Sequence, residues 1–200
     1  MDINSKEWWI NEHNHNWINE GVNGIEQTKM FAEIAYGILN PAIKLNISTL
    51  NGAFVDWGCA LGQGCECFLN QINYRNNNKI YGIDIADTAI NKAKDMYSEY
   101  QFYTDIDYIK ADIDLIYTSN TLEHFHNPTE YIEKLINITN KYLIILVPYM
   151  QDITNLHFFK FTYEYFQNLK VNAQLIQFTR ISAIDEWYSP TSQILAVYYK

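Results

Sequence analysis

Nine consecutive residues, Asp56-Trp57-Gly58-Cys59-Ala60-Leu61-Gly62-Gln63-Gly64, set an acid ahead of three glycines. Glycine tolerates positive φ and lets a ligand lie against the main chain. Charge then decides which ligand. A nucleoside-triphosphate loop needs Lys followed by Ser or Thr after its last glycine. Here Gly64 is followed by Cys65, and no Lys or Arg occurs between Lys44 and Arg75. A dinucleotide loop spaces its glycines G-x-G-x-x-G. Gly58, Gly62 and Gly64 do not follow that spacing, and Asp56 would set a carboxylate beside a phosphate. The loop suits a cationic ligand instead. S-adenosylmethionine carries a sulfonium and an ammonium group and no phosphate, so Coulomb attraction to Asp56 favours it. Asp84 lies 20 residues beyond Gly64, and its carboxylate has enough lone pairs to accept both hydroxyls of a ribose.

A second reactive group sits in Ser119-Asn120-Thr121-Leu122-Glu123-His124, and a third in Asn155-Leu156-His157-Phe158-Phe159. Imidazole titrates near neutrality and can take a proton from a hydroxyl in a transition state. His124 is the first candidate for that role and His157 the second; the plain alternative for His124 is a turn residue, and His126 is expected in solvent. Glu123, His124 and His126 have the ligand types of a zinc or harder divalent site. Adjacent residues on a regular helix do not aim at one point, so no metal is expected. Cys59, Cys65 and Cys67 are too crowded for a disulfide framework or for separated zinc pairs, and read as reduced thiols.

These residues need elements to position them. Phe31, Ile34, Ala35, Ile38 and Leu39 recur at helical spacing over 24–40, with Pro41 as a stop. Apolar runs at 53–56, 79–84, 101–104, 114–119 and 142–147 read as strands. The intervening 66–72, 86–100 and a stretch opened by Asn127-Pro128 read as helices. Alternation of this kind implies a parallel, doubly wound α/β sheet, and the runs at 175–181 and 193–199 predict an antiparallel pair at its edge. The Trp8-Trp9, His13, His15 and Trp17 cluster reads first as an aromatic helix packing on the core, with the lining of an acceptor pocket as the alternative. The 200 residues are expected to form a single domain, with a helical N-terminal cap over 1–45 and a cofactor-binding core over 46–200.

Composition limits the partners. Fourteen Lys and Arg against 23 Asp and Glu leave a net charge of −9, which opposes attraction to nucleic acid or anionic lipid. No apolar run approaches the ~20 residues a membrane span requires. Met1 to Trp9 contains no secretory h-region, so a cytoplasmic location is expected. Oligomeric state is not encoded in any pattern found.

The glycine loop resembles motif I of class I S-adenosylmethionine-dependent methyltransferases, an acidic residue followed by G-x-G-x-G, with Ala60 at the middle glycine. Tyr81-Gly82-Ile83-Asp84-Ile85-Ala86 is similar to that family's second strand. Asp114 to Phe125, containing Ser-Asn-Thr-Leu-Glu-His, resembles the fourth strand and exit of its small-molecule members. The resemblance implies a seven-stranded Rossmann-like sheet with an antiparallel C-terminal edge. It implies cofactor contacts from Asp56, Gly58, Cys59, Ala60, Gly62, Asp84 and Ile85. It further implies Asp105 at the adenine amino group, Ile106 on the adenine face and Asn120 at the methionine portion. The function implied is methylation of a small molecule, more readily at oxygen than nitrogen, with a sugar, nucleotide-linked sugar or other small metabolite as acceptor. A non-catalytic cofactor-binding or scaffold subunit and an N-methyltransferase are the alternatives.

Overall fold

A computed structural model describes residues 1–17, 24–72, 79–182 and 192–200. Helix α1 (Lys6–Asn11) runs into a single π-helical stretch (Glu12–Asn16), and helices α2 (Gly24–Ile38) and α3 (Pro41–Ile47) follow. The chain then alternates through β1 (Ala53–Trp57), α4 (Gln63–Ile72), β2 (Ile80–Ile83), α5 (Asp87–Met96), β3 (Gln101–Tyr103) and β4 (Ile113–Ser119). It ends with α6 (Pro128–Ile138), β5 (Thr139–Pro148), α7 (Tyr163–Asn168), β6 (Gln174–Ser182) and β7 (Ser192–Tyr199).

The strands form one seven-stranded sheet in the order β3-β2-β1-β4-β5-β7-β6. Strands β1 to β5 pair parallel, and β7 runs antiparallel to both β5 and β6. The expected hairpin therefore stands at the sheet edge, with the last strand one place in and β6 outermost. Its connection, 183–191, and the Asn76-Asn77-Asn78 run lie outside the described residues.

The core sits on both faces because β1 and β4 alternate apolar side chains with a period of two. Phe54, Leu115 and Tyr117 join α2, α3 and α4 on one face, while Val55 and Ile116 join α6 on the other. Burying both faces is what makes the central strands read as unbroken apolar runs.

Local expectations are refined at three places. The helix ahead of Pro41 stops at Ile38, and Pro41 also opens α3: the Asn40 side chain accepts from the Ala42 N–H at 2.8 Å, and Pro41 fills the first turn. That helix crosses residue 45, with Ile43 and Ile47 buried. The helix expected to reach residue 100 ends at Met96, after which Tyr97, Tyr100 and Phe102 pack as rings. Asn127 stands at the N-cap of α6, but its amide donates to Glu130 Oε1 at 2.7 Å and caps no backbone N–H.

Candidate cofactor and acceptor site

A parallel sheet binds ligands beyond the carboxyl ends of its strands, where the chain order reverses. Here β1 lies between β2 and β4, and the loops leaving these three strands surround a cavity of about 1310 Å³. That exceeds the ~300–1,000 Å³ of a pocket for one drug-sized ligand, so a cofactor and a second small molecule fit together.

The glycine loop is shaped by backbone sterics. Gly58 and Gly62 have φ of +88° and +86°, and Ala60, at +47°, is a non-glycine residue in the left-handed region. The Gly58 and Cys59 N–H groups both donate to the Ile83 carbonyl, at 2.8 and 2.9 Å, which folds the loop onto β2. Asp84 secures it further: Oδ2 accepts from the Ala60 N–H at 3.0 Å and Oδ1 from the Ala86 N–H at 2.9 Å. Each oxygen retains a lone pair toward the cavity.

Asp56 is 3% exposed and makes no ion pair among the described residues. Burial, reinforced by the negative charge of Asp84, pushes its carboxyl up to about 8. Asp56, Gly58, Ala60, Asp84, Ile85, Asp105, Ile106 and Asn120 all line the cavity. Ile85 is half-exposed there, an apolar side chain open to the cavity. Asp105 caps a short 3-10 turn by accepting from the Asp107 N–H at 3.0 Å, and Ile106 is buried beside it. Asn120 has a φ of +47°, and its amide donates to Ser119 Oγ at 3.0 Å.

Cys59 and Gly62 are not brought to the cavity wall. The Cys59 thiol packs with Ile90, Ala93 and Phe102, and a Cβ on Gly82 would crowd it. Gly62 faces the rings of Phe102 and Tyr97. Both shape the loop from behind, because successive side chains in a tight turn cannot all face the ligand.

The opposite wall carries the histidines. Leu122–His124 forms a 3-10 turn after β4, and the segment after β5 folds back on it: Phe158 and Phe159 N–H donate to the Glu123 carbonyl at 2.8 and 3.2 Å. His124 and His157 come within 5.0 Å, ring to ring, and His124 Nδ1 meets the Leu156 carbonyl at 3.1 Å. Burial pulls His124 down to about 4, helped by His157 and opposed by hydrogen bonds to the Leu156 and Asn120 carbonyls. Burial also lowers His157 and pushes Glu123 up to about 8. His126 is exposed and stacks on Phe158 at 4.2 Å.

The N-terminal wall is built by the aromatic cluster of residues 8–17. Trp8, Trp9, His13 and Trp17 line the cavity as well as packing on the core, whereas His15 is exposed. Trp9 meets His124 edge-on at 4.9 Å and stacks on His13. His13 is 2% exposed, with Nε2 3.8 Å from Asp84 and Nδ1 unpartnered; burial lowers its pKa, Asp84 pulls it back up, and Lys92 adds to the lowering. Lys92 fixes this stretch by donating to the His13 carbonyl at 3.1 Å and to Asn14 Oδ1 at 2.9 Å. Aromatic helices pack on cores by default, and only the unusual density of Trp and His over residues 8–17 hinted at more.

The sequence profile described as "Methyltransferase domain" matches residues 30–189. The chain belongs to this family. No curated protein matches it. Among solved structures, this methyltransferase domain superposes on a chain from the complex between the Haloferax volcanii Trm112 methyltransferase activator and a methyltransferase. The TM-score is 0.71 at 10% identity, over 96% of each chain. Magnesium protoporphyrin IX methyltransferase from Synechocystis, solved with S-adenosylhomocysteine, gives 0.64 at 14% identity over 92% of this chain and 89% of that one. The plantazolicin methyltransferase, bound to a substrate analogue and S-adenosylhomocysteine, gives 0.62 at 17% identity over 98% and 96%. At these identities the likeness is one of fold, and the family assignment comes from the profile.

Proposed function

We propose that this methyltransferase domain moves a methyl group from S-adenosylmethionine to a hydroxyl oxygen of a small acceptor: a sugar, a nucleotide-linked sugar or a metabolite of similar size. The observation that carries the reading is one cavity with the acids Asp56 and Asp84 at the ends of β1 and β2 on one side and the Glu123, His124 and His157 cluster on the other. The family and its solved neighbours supply the cofactor reading, and the site fits it. Asp56 is a buried acid without a cation, the state a positively charged ligand relieves. His13 Nδ1 and Trp17 Nε1 are buried polar atoms lacking a protein partner on the same wall.

When bound, S-adenosylmethionine supplies a methyl carbon already activated by positive sulfur. The chain's contribution is orientation, exclusion of water and removal of one proton. Asp84 and the Ala60 N–H it holds form the ribose end of the cradle, with Ile85 and Ile106 against the adenine and Asp105 at its edge. Asn120, held by its backbone bond to Leu146 at 2.9 Å, faces the methionine portion. Trp57, Phe125 and Tyr131, mutually packed at 4.0 to 5.7 Å, offer flat apolar faces to an acceptor ring. His124, kept neutral by burial across the physiological range, carries a lone pair on one of its ring nitrogens. It and His157 are the groups that receive the acceptor's proton.

No helix of the described residues is long and apolar enough to cross a membrane. A reducing, cytoplasmic setting suits the three free thiols. The reading is tested by calorimetry with S-adenosylhomocysteine and, separately, NADH. Binding of the first and not the second is expected, and NADH binding alone overturns it. Turnover against sugar and nucleotide-sugar acceptors then separates an enzyme from a scaffold.

A further inference from the structure

The expectation of no metal rested on Glu123, His124 and His126 being unable to converge. The fold replaces the third residue. His157 arrives from a segment 31 residues beyond His126, and one ligand atom from each of Glu123, His124 and His157 lies within 4.8 Å of the others. We propose that these three side chains bind a divalent first-row cation that holds the acceptor's hydroxyl oxygen. The proposal rests on the methyltransferase reading above and deepens it.

The donor set is two imidazole nitrogens and one carboxylate oxygen, a combination that suits first-row divalent ions and leaves positions open for substrate. Glu123 is 2% exposed, Oε2 has no hydrogen-bond partner, and it makes no ion pair among the described residues. The Glu123 carboxyl meets its own backbone N–H, but a buried carboxyl oxygen left without a partner is costly, and a cation in the cavity would supply one for Oε2. His157 Nδ1 is likewise buried and unpartnered. The His124 Nδ1–H points at the Leu156 carbonyl at 3.1 Å. That bond places the N–H on Nδ1 and leaves Nε2 the lone pair, the way metal-bound histidines are commonly oriented, and a cation there takes the place of the contact His124 makes with the Asn120 backbone.

The scaffold is fixed before any ion arrives. The Glu123 carbonyl accepts from Phe158 and Phe159, and the Asn4 side chain donates to the carbonyls of both His124 and Leu156, at 3.2 and 2.8 Å. Thr154 Oγ1 accepts from the His157 N–H at 2.9 Å. The two loops are thus cross-tied by bonds that use none of the candidate ligand atoms. All three residues line the cavity that receives the acceptor.

A cation here alters the proton step. With a cation held there, the acceptor's O–H bond would break heterolytically; the electron pair stays on oxygen and goes on to take the methyl group, and the proton would pass to water in place of the transfer to His124 or His157. The two imidazoles then act as ligands and no longer need to be strong bases.

The test is calorimetric titration of the chelator-stripped full chain with Mn²⁺, and in parallel with S-adenosylhomocysteine. One saturable Mn²⁺ site is expected in the native chain. His157→Ala and Glu123→Gln are each expected to weaken it by at least about tenfold, His126→Ala to leave it unchanged, and all three to keep S-adenosylhomocysteine affinity. Should Glu123→Gln not fold, His157→Ala on the half-exposed loop still decides the matter. Absence of saturable Mn²⁺ binding, or binding indifferent to His157→Ala, overturns the cation site; if S-adenosylhomocysteine still binds, the methyltransferase reading survives. Failure of S-adenosylhomocysteine to bind the native chain overturns that reading separately.

Discussion

Replacing Asp84 removes the one side chain that both ties down the glycine loop and faces the cofactor. Its two oxygens hold the Ala60 and Ala86 N–H groups at 3.0 and 2.9 Å, and their remaining lone pairs are assigned to the ribose hydroxyls. In Asp84→Ala the two backbone donors lose their partner in free and bound protein alike, so that loss falls mainly on stability. The two cofactor bonds exist only in the complex. At about 1.5–3 kcal/mol for each hydrogen bond to a charged group, their loss amounts to ~3–6 kcal/mol, or roughly a 10²- to 10⁴-fold rise in Kd. Asp84→Asn keeps one acceptor oxygen and should fall between the two. Calorimetry with S-adenosylhomocysteine measures the affinity, and circular dichroism verifies the fold. A folded Asp84→Ala chain whose affinity lies within a few fold of native would refute the assignment of Asp84 to the ribose.

Gly58→Val should lower the melting temperature and abolish S-adenosylhomocysteine binding together, because φ is +88° and a Cβ would collide with the Thr121 hydroxyl; thermal melts and calorimetry read both effects, and native affinity would discard the loop assignment. Asp56, raised from 3.8 to about 8 in the folded state, contributes stability that is present below pH ~4 and lost progressively as pH rises to about 8. Asp56→Asn should therefore be more stable than native at pH 8.5 and show a flatter dependence between pH 6.5 and 8.5 in urea unfolding; parallel curves would mean that the carboxyl is ionised throughout. His124→Ala should lower kcat by ~10²–10⁴ while S-adenosylhomocysteine affinity stays within a few fold, and steady-state kinetics with a working acceptor decides it; joint loss of affinity and stability would make His124 a structural turn residue.

The strands, their order along the chain and the acids at the ends of β1 and β2 were readable because each rests on local pattern: an apolar run, a glycine loop, a fixed spacing. What escaped depends on long-range return. Nothing in His157-Phe158-Phe159 says that the two Phe N–H groups will pair with the Glu123 carbonyl, so His126, the nearer histidine, looked the better companion for Glu123. Cys59 and Gly62 were assigned by position in a motif, whereas the left-handed turn at Ala60 sends Cys59 into the apolar packing of α5. Pro41 carries no direction in itself; the Asn40 cap determines that a helix begins there. The Trp and His side chains of residues 8–17 follow the pattern of any packed helix, and their place on the cavity wall comes from the contacts of Lys92 and Asn4 with other parts of the chain.

The position of β7 between β5 and β6 also bears on synthesis. Strand β5 carries six consecutive buried apolar residues, Tyr142 to Val147, and its outer edge has no partner except the final strand. A ribosome that has delivered Pro148 must still add about 50 residues before that edge can close, some 3–10 s at ~5–20 residues per second. Throughout this interval the nascent chain displays a long row of open backbone donors and acceptors flanked by Ile and Leu, the surface on which strands of neighbouring chains pair. Co-translational aggregation, and the chaperones that prevent it, would therefore act on a half-made sheet whose finished form hides the same strand completely.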